Sequence, residues 1–108
     1  MPTLHIEHAI TDFTTWSEAF AQFAKARQQA GVRAHRVYRP VDDQHYVVVD
    51  LEFDTVEAAE AFRQFLIVQV WAVPQNAPAL AGTPQTKILR PEPLDDRPTG
   101  VRRGAIVA

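Results

Sequence analysis

From Thr3 to Ala9 the chain alternates, with Leu4, Ile6 and His8 on one side and His5, Glu7 and Ala9 on the other, the period-two pattern of a strand buried on one face. The period changes at Asp12. Phe13, Trp16, Phe20 and Phe23 recur at steps of three and four, with Glu18, Gln22, Lys25 and Gln29 between them, which predicts an amphipathic helix with an aromatic stripe. Asp12 offers a side-chain oxygen to the first free amides. Gly31 ends the helix, because a residue without Cβ enters a left-handed cap at little cost. Val32 to Arg39 and Gln44 to Phe53 alternate again on either side of Pro40-Val41-Asp42-Asp43, so they read as an antiparallel hairpin. In its second arm His45, Val47, Val49, Leu51 and Phe53 share one face, and Tyr46, Val48, Asp50 and Glu52 share the other.

Asp54 stands three residues before Glu57, the spacing of a capping box, and opens a second helix. Val56, Ala59, Phe62, Leu66 and Val70 form its apolar stripe. Phe65, Ile67, Val68 and Trp71 make its last two turns apolar nearly all round, so this end needs cover on more than one side. Pro74, Pro78, Gly82 and Pro84 then predict an irregular loop of about a dozen residues, a length often functional in small domains. Thr86 to Arg90 returns to alternation as a fourth strand. Residues 1–90 are thus expected to form one domain, and 91–108 a Pro- and Arg-containing tail, either flexible or docked on a partner subunit.

Strand-helix-strand occurring twice in succession is the ferredoxin-like βαββαβ arrangement of the α+β class, a four-stranded antiparallel sheet with two helices on one face. A hairpin turn centred near Val41 sets odd-numbered residues beside odd-numbered ones. That places His35, Val37, His45, Val47, Val49 and Leu51 under the helices. Arg36, Tyr38, Tyr46, Val48, Asp50 and Glu52, with Glu7 and Lys87, fall on the opposite face, which a single chain leaves bare. This face and the apolar end of the second helix predict a homodimer.

Composition narrows the chemistry. The 108 residues include no cysteine, which excludes disulfides, thiolate nucleophiles and cysteine-based zinc sites. Eleven Lys and Arg against thirteen Asp and Glu leave a net charge of -2, which makes no electrostatic case for nucleic acid or a membrane surface as a partner. The apolar run from Phe65 to Val73 is far short of the roughly 20 residues of a membrane helix. The first residues lack a basic region followed by an apolar one, so a cytoplasmic location is expected.

Thr3 to Arg90 resembles the dimeric α+β barrel superfamily, in which two ferredoxin-like subunits face their sheets to one another, and within it the antibiotic-biosynthesis-monooxygenase-like and uncharacterised branch. The resemblance rests on Leu4-His5-Ile6-Glu7-His8, on Phe13, Trp16 and Phe20, on Phe53-Asp54-Thr55 at the entry to the second helix, and on Pro84-Gln85-Thr86-Lys87-Ile88-Leu89. It is a likeness of architecture over about five sixths of the chain, and fold alone does not imply function. It implies a small, mostly aromatic ligand held between sheet and helices. The haem-degrading members carry an iron-binding histidine on the second helix. Thr55 to Trp71 holds none, so no cofactor is expected.

The candidate chemistry lies mainly in histidines. His5, Glu7 and His8 resemble a metal triad when written out, but on a strand His8 points away from the other two, so no metal site is expected. His35 and His45 are brought together near the hairpin end by the expected register, where a neutral imidazole can accept a proton from a phenolic or acidic carbon substrate. Phe13, Trp16, Phe20, Tyr38 and Trp71 are the candidates for a flat apolar pocket, with the Pro74–Pro84 loop as its lid. Asp50 and Glu52 either form an acid and base pair inside a dimer, pair with Arg36 or Lys87, or meet solvent at the barrel rim.

Three functions follow. One is a cofactor-independent monooxygenase or cyclase-like enzyme for a small aromatic or polyketide-like compound. A second is a non-catalytic binding or structural dimer. A third is a tautomerase using the secondary amine of Pro2 once Met1 is removed. An enclosed cavity reached by a histidine favours a ligand role, whereas a cleft packed shut leaves a scaffold.

Overall fold

In the computed structural model, which describes residues 1–94, strand β1 (Thr3–Ile10) puts Leu4, Ile6, His8 and Ile10 into the interior and leaves every other residue partly exposed. It forms one of the two central strands of a four-stranded sheet ordered β2-β3-β1-β4, in which β2 is Ala34–Tyr38, β3 is Tyr46–Glu52 and β4 is Leu80–Leu89. All neighbours are antiparallel. This is the ferredoxin-like α+β arrangement. The expected tail lies outside the described residues from 95 onward, while 91–94 leave the sheet as exposed coil.

The helices cover one face. Leu4, Val47, Leu51 and Phe53 are fully buried beneath them, with Ala59 and Phe62 from the second crossover closing the core. Each burial of such a side chain contributes roughly 1.5–3 kcal/mol, so this layer is the main source of stability.

The first crossover is two helices rather than one. α1 (Phe13–Gln22) starts at Asp12, whose carboxylate accepts from the Thr15 amide at 2.7 Å, and gives way at Phe23 to α2 (Ala24–Ala30). Phe23 has φ -98° and ψ 15°, outside the helical well, which interrupts the helix between α1 and α2. Gly31 closes α2 at φ 89°, as expected of a left-handed cap.

At the second crossover the cap is Thr55, not Asp54. The Thr55 hydroxyl accepts from the Ala58 amide at 3.1 Å and opens α3 (Val56–Phe65). Asp54 instead accepts from the Arg33 guanidinium through both its oxygens. α3 then continues as a π-helical segment, Leu66–Trp71. The wider i to i+5 ladder sets Trp71 over Leu66, so a run that is apolar all round can turn Leu66, Val70 and Trp71 to the same side.

β4 begins at Leu80, six residues before the expected start, and takes in Gly82 and Pro84. Glu7 pairs with Gln85 but Ala9 with Ala81, so β4 carries two extra residues in a bulge at this point. Gly82 supplies the positive φ of 75° that the bulge requires, and Pro84 is tolerated because β4 is an edge strand.

Candidate functional site

Between the helices and the sheet lies a cavity of about 80 Å³, bordered by Ile6, His8, Val49 and Leu51 from the sheet and by aromatic side chains from both crossovers. One water needs about 10–15 Å³ of such space, so the cavity has room for several waters or a small organic molecule. Trp16 and Phe20 form one wall, their rings stacked at 4.9 Å and 21°. Trp71 forms another, placed there by the π-helical turn. Asn76, Ala77 and Ala79 border it from the segment 72–79, which is tied to the residue after β1 by the Thr11 amide donating to the Ala79 carbonyl at 2.9 Å. The predicted lid therefore reaches the cavity, although it is shorter than expected because β4 starts early.

The histidine in this cavity is His8. It is 5% exposed, and its ring meets Trp71 edge-on at 6.4 Å between centroids. Its Nδ1 donates to the Ala9 carbonyl at 2.8 Å, and a carbonyl can only accept. Burial holds the imidazole pKa below its ordinary value, so the ring is neutral and Nε2 carries a free lone pair. Among the described residues Nε2 has no hydrogen-bond partner. The alternation of β1 already puts His8 beside Leu4 and Ile6, and that parity is the signal that identifies it.

The structure does not bring His35 and His45 together. His35 pairs with Leu51 and Val37 with Val49, which centres the hairpin on Asp43 rather than Val41. Pro40 has no N–H to continue the ladder, and Asp43 accepts from the His45 amide at 2.9 Å, so residues 39–45 form a longer connection than the four-residue turn expected. His35 lies exposed at the margin, edge-on to Phe20 at 5.5 Å, and His45 lies exposed beyond the paired strands. Neither borders the cavity. Of the predicted pocket aromatics, Trp16, Phe20 and Trp71 line it. Phe13 stacks on the outer side of Trp16 at 5.7 Å, under the Arg39 guanidinium. Tyr38 does not line it: paired with Val48, it stands on the far face of the sheet, where strand alternation places it, 49% exposed. Pro2 is at the other end of β1, its carbonyl accepting from the Phe53 amide at 3.0 Å.

The far face carries a second constellation. His5 sits between two carboxylates, Nδ1 2.7 Å from Asp50 and Nε2 2.9 Å from Glu7, and the Tyr46 hydroxyl donates to the other Glu7 oxygen at 2.7 Å. Both ring nitrogens face carboxylate oxygens, an arrangement that favours the imidazolium form. The Glu7 hydrogen bond above all raises the His5 pKa, and the same bond holds the Glu7 carboxyl below its usual range. Arg36 pairs with Glu52 at 2.7 Å, one of the two partners expected for that carboxylate. His8 points away from this cluster, and no group of three potential ligands among the described residues is arranged to hold a metal ion.

Like His8, one further cavity residue was not among the expected site residues. Arg27 is 8% exposed and borders the cavity from α2, with its guanidinium 3.6 Å above the Phe20 ring. It falls seven residues after Phe20 and four after Phe23, on the same stripe, so its spacing marked it as inward-facing.

No family model and no curated protein sequence matches the chain. Solved structures do. An antibiotic biosynthesis monooxygenase superposes with a TM-score of 0.62 at 11% identity, over 86% of this chain and 100% of its own. An uncharacterized NIPSNAP domain protein from Burkholderia xenovorans gives 0.61 at 16% identity, over 90% and 100%. A dimeric ferredoxin-like protein from an uncultured marine organism gives 0.55 at 16% identity, over 84% and 95%. At these identities the likeness is one of fold. No helix among the described residues is long and apolar enough to cross a membrane. In architecture the chain is a ferredoxin-like α+β fold, similar to that of an antibiotic biosynthesis monooxygenase and of dimeric ferredoxin-like proteins.

Proposed function

We propose that the protein is a homodimer, sheet facing sheet, that holds a small, mostly aromatic molecule in the cavity under α1 and α3. The observation that carries this reading is the combination of stacked Trp16 and Phe20, edge-on Trp71 and one buried neutral imidazole around a single space. Ligand sites are mostly apolar with a few placed polar groups, and this cavity has that character. The free Nε2 of His8 is suited to accept a proton from a phenol or an acidic carbon, leaving an electron-rich anion in an apolar site. That activation serves a cofactor-independent monooxygenase or a cyclase acting on an aromatic or polyketide-like compound. The dimer is supported by the half-exposed Tyr38 and Leu89 on the far face and by the dimeric state of two similar structures.

Trp16 and Trp71 are the chain's two tryptophans, and both border the cavity, so intrinsic fluorescence reports on it directly. Titration with phenol and 2-naphthol is expected to give a saturable change, abolished in Trp71→Ala and shifted in its pH dependence in His8→Gln. No saturable change with either probe would leave a scaffold dimer. Sedimentation at micromolar concentration is expected to show two chains per particle.

A further inference from the structure

Arg27 donates through one NH1 hydrogen to the Phe20 carbonyl at 2.6 Å, near the C-terminal end of α1, and lays one face of its guanidinium on the Phe20 ring. That cap and that stack occupy one of five N–H donors. Among the described residues the other four have no hydrogen-bond partner, and no Asp or Glu borders the cavity. A guanidinium stays charged in proteins, and a buried charge is costly unless it is paired. Arg27 is more than nine-tenths buried, and desolvation alone pulls its pKa below the ordinary guanidinium value, with no neighbouring carboxylate to oppose it. Apart from His8 and Asn76 the rest of the wall is apolar, and Asn76 donates one side-chain N–H to the Gln69 carbonyl at 2.7 Å.

We infer that the cavity takes a small aryl carboxylate, the apolar body lying against Trp16, Phe20 and Trp71 and the carboxylate accepting from the unpaired N–H groups of Arg27. A planar guanidinium presents paired donors that match a carboxylate, and such charge-assisted bonds strengthen where water is excluded. His8, with its free Nε2, then accepts from a hydroxyl or acidic C–H elsewhere on the same molecule. The inference rests on the cavity being the binding site, and the two readings fail differently.

The test is a tryptophan-fluorescence titration of the full chain with benzoate, phenylacetate and cinnamate, each beside its neutral amide. At least one carboxylate is expected to bind at least tenfold tighter than its amide. In Arg27→Met, which keeps an unbranched apolar side chain, that preference is expected to fall to within about twofold, whereas Arg27→Lys keeps part of it. Equal binding of acids and amides by the wild-type chain would overturn the role of Arg27 while leaving the cavity as a neutral aromatic site. Saturable binding of no probe, acid, amide or phenol, would overturn both readings. If Arg27→Met does not fold, the wild-type comparison of acid with amide still decides.

Discussion

His5 and His8 are three residues apart on one strand and live in opposite chemistries. His8 faces the helices, where burial strips its water and favours the neutral ring; His5 faces the open side, where two carboxylates favour the protonated ring. The residue type and the backbone are the same, and only strand parity differs. The covered face is organised by desolvation and the open face by pairing. That division explains why one side has a cavity with a proton acceptor and the other a hydrogen-bonded chain, Asp50 to His5 to Glu7 to Tyr46.

The largest effect should separate two adjacent residues of β3. Leu51, 1% exposed, lies in the covered layer, and Leu51→Ala is expected to cost about 2–5 kcal/mol in urea unfolding. Glu52, one residue on, faces the open side in an exposed ion pair with Arg36, and Glu52→Ala should leave the midpoint nearly unchanged. Similar losses at both positions would erase the distinction between the faces.

A sharper test is titration of the two imidazoles by NMR. His5 should titrate above the ordinary value of about 6.5 and His8 below it. The raised His5 pKa means that its ion pairs stabilise the fold fully below about pH 6.5 and stop doing so as the pH climbs through the folded value. His8 has the opposite sign: its contribution is complete above about pH 6.5 and is lost as the pH falls through its lowered folded value. The two oppose each other, so His5→Gln should make stability fall more steeply on acidification than it does in the wild type. A parallel pH profile would sink the assignment.

The smallest effect belongs to the end of the open-face chain. Tyr46→Phe removes one hydrogen bond to a partly solvated carboxylate and should cost below about 1 kcal/mol. It should also raise the Glu7 carboxyl pKa, visible by NMR, because the hydroxyl no longer stabilises the anion.

Much of this was legible in the chain. The alternation of β1 and β3 gave the two faces correctly, because a pleated strand leaves no other choice, and the doubled strand-helix-strand order gave the topology. The hairpin parity held while its centre moved by two residues, since Pro40 and Asp43 set a connection whose length the flanking alternation does not encode. That slip is what separated His35 from His45. The π-helical turn had no local signal beyond an excess of apolar residues, and so the direction of Trp71 was undetermined. Thr55 displaced Asp54 as the cap because Asp54 had a better partner in Arg33, a residue on another element that sequence spacing does not reveal. Arg27 was passed over for a related reason: a charge on an apolar stripe reads as solvated until the packing around it is known.

The bulge in β4 has a bearing on how copies of the molecule can meet. With two surplus residues at Gly82-Thr83-Pro84 and a proline that has no hydrogen to give, this border of the sheet is a poor template for an incoming strand, and the opposite border, β2, is only five residues long. Sideways growth into a continuous ribbon is therefore blocked at one border and curtailed at the other. That leaves the broad sheet surface to the proposed homodimer, a contact that closes on itself after two copies.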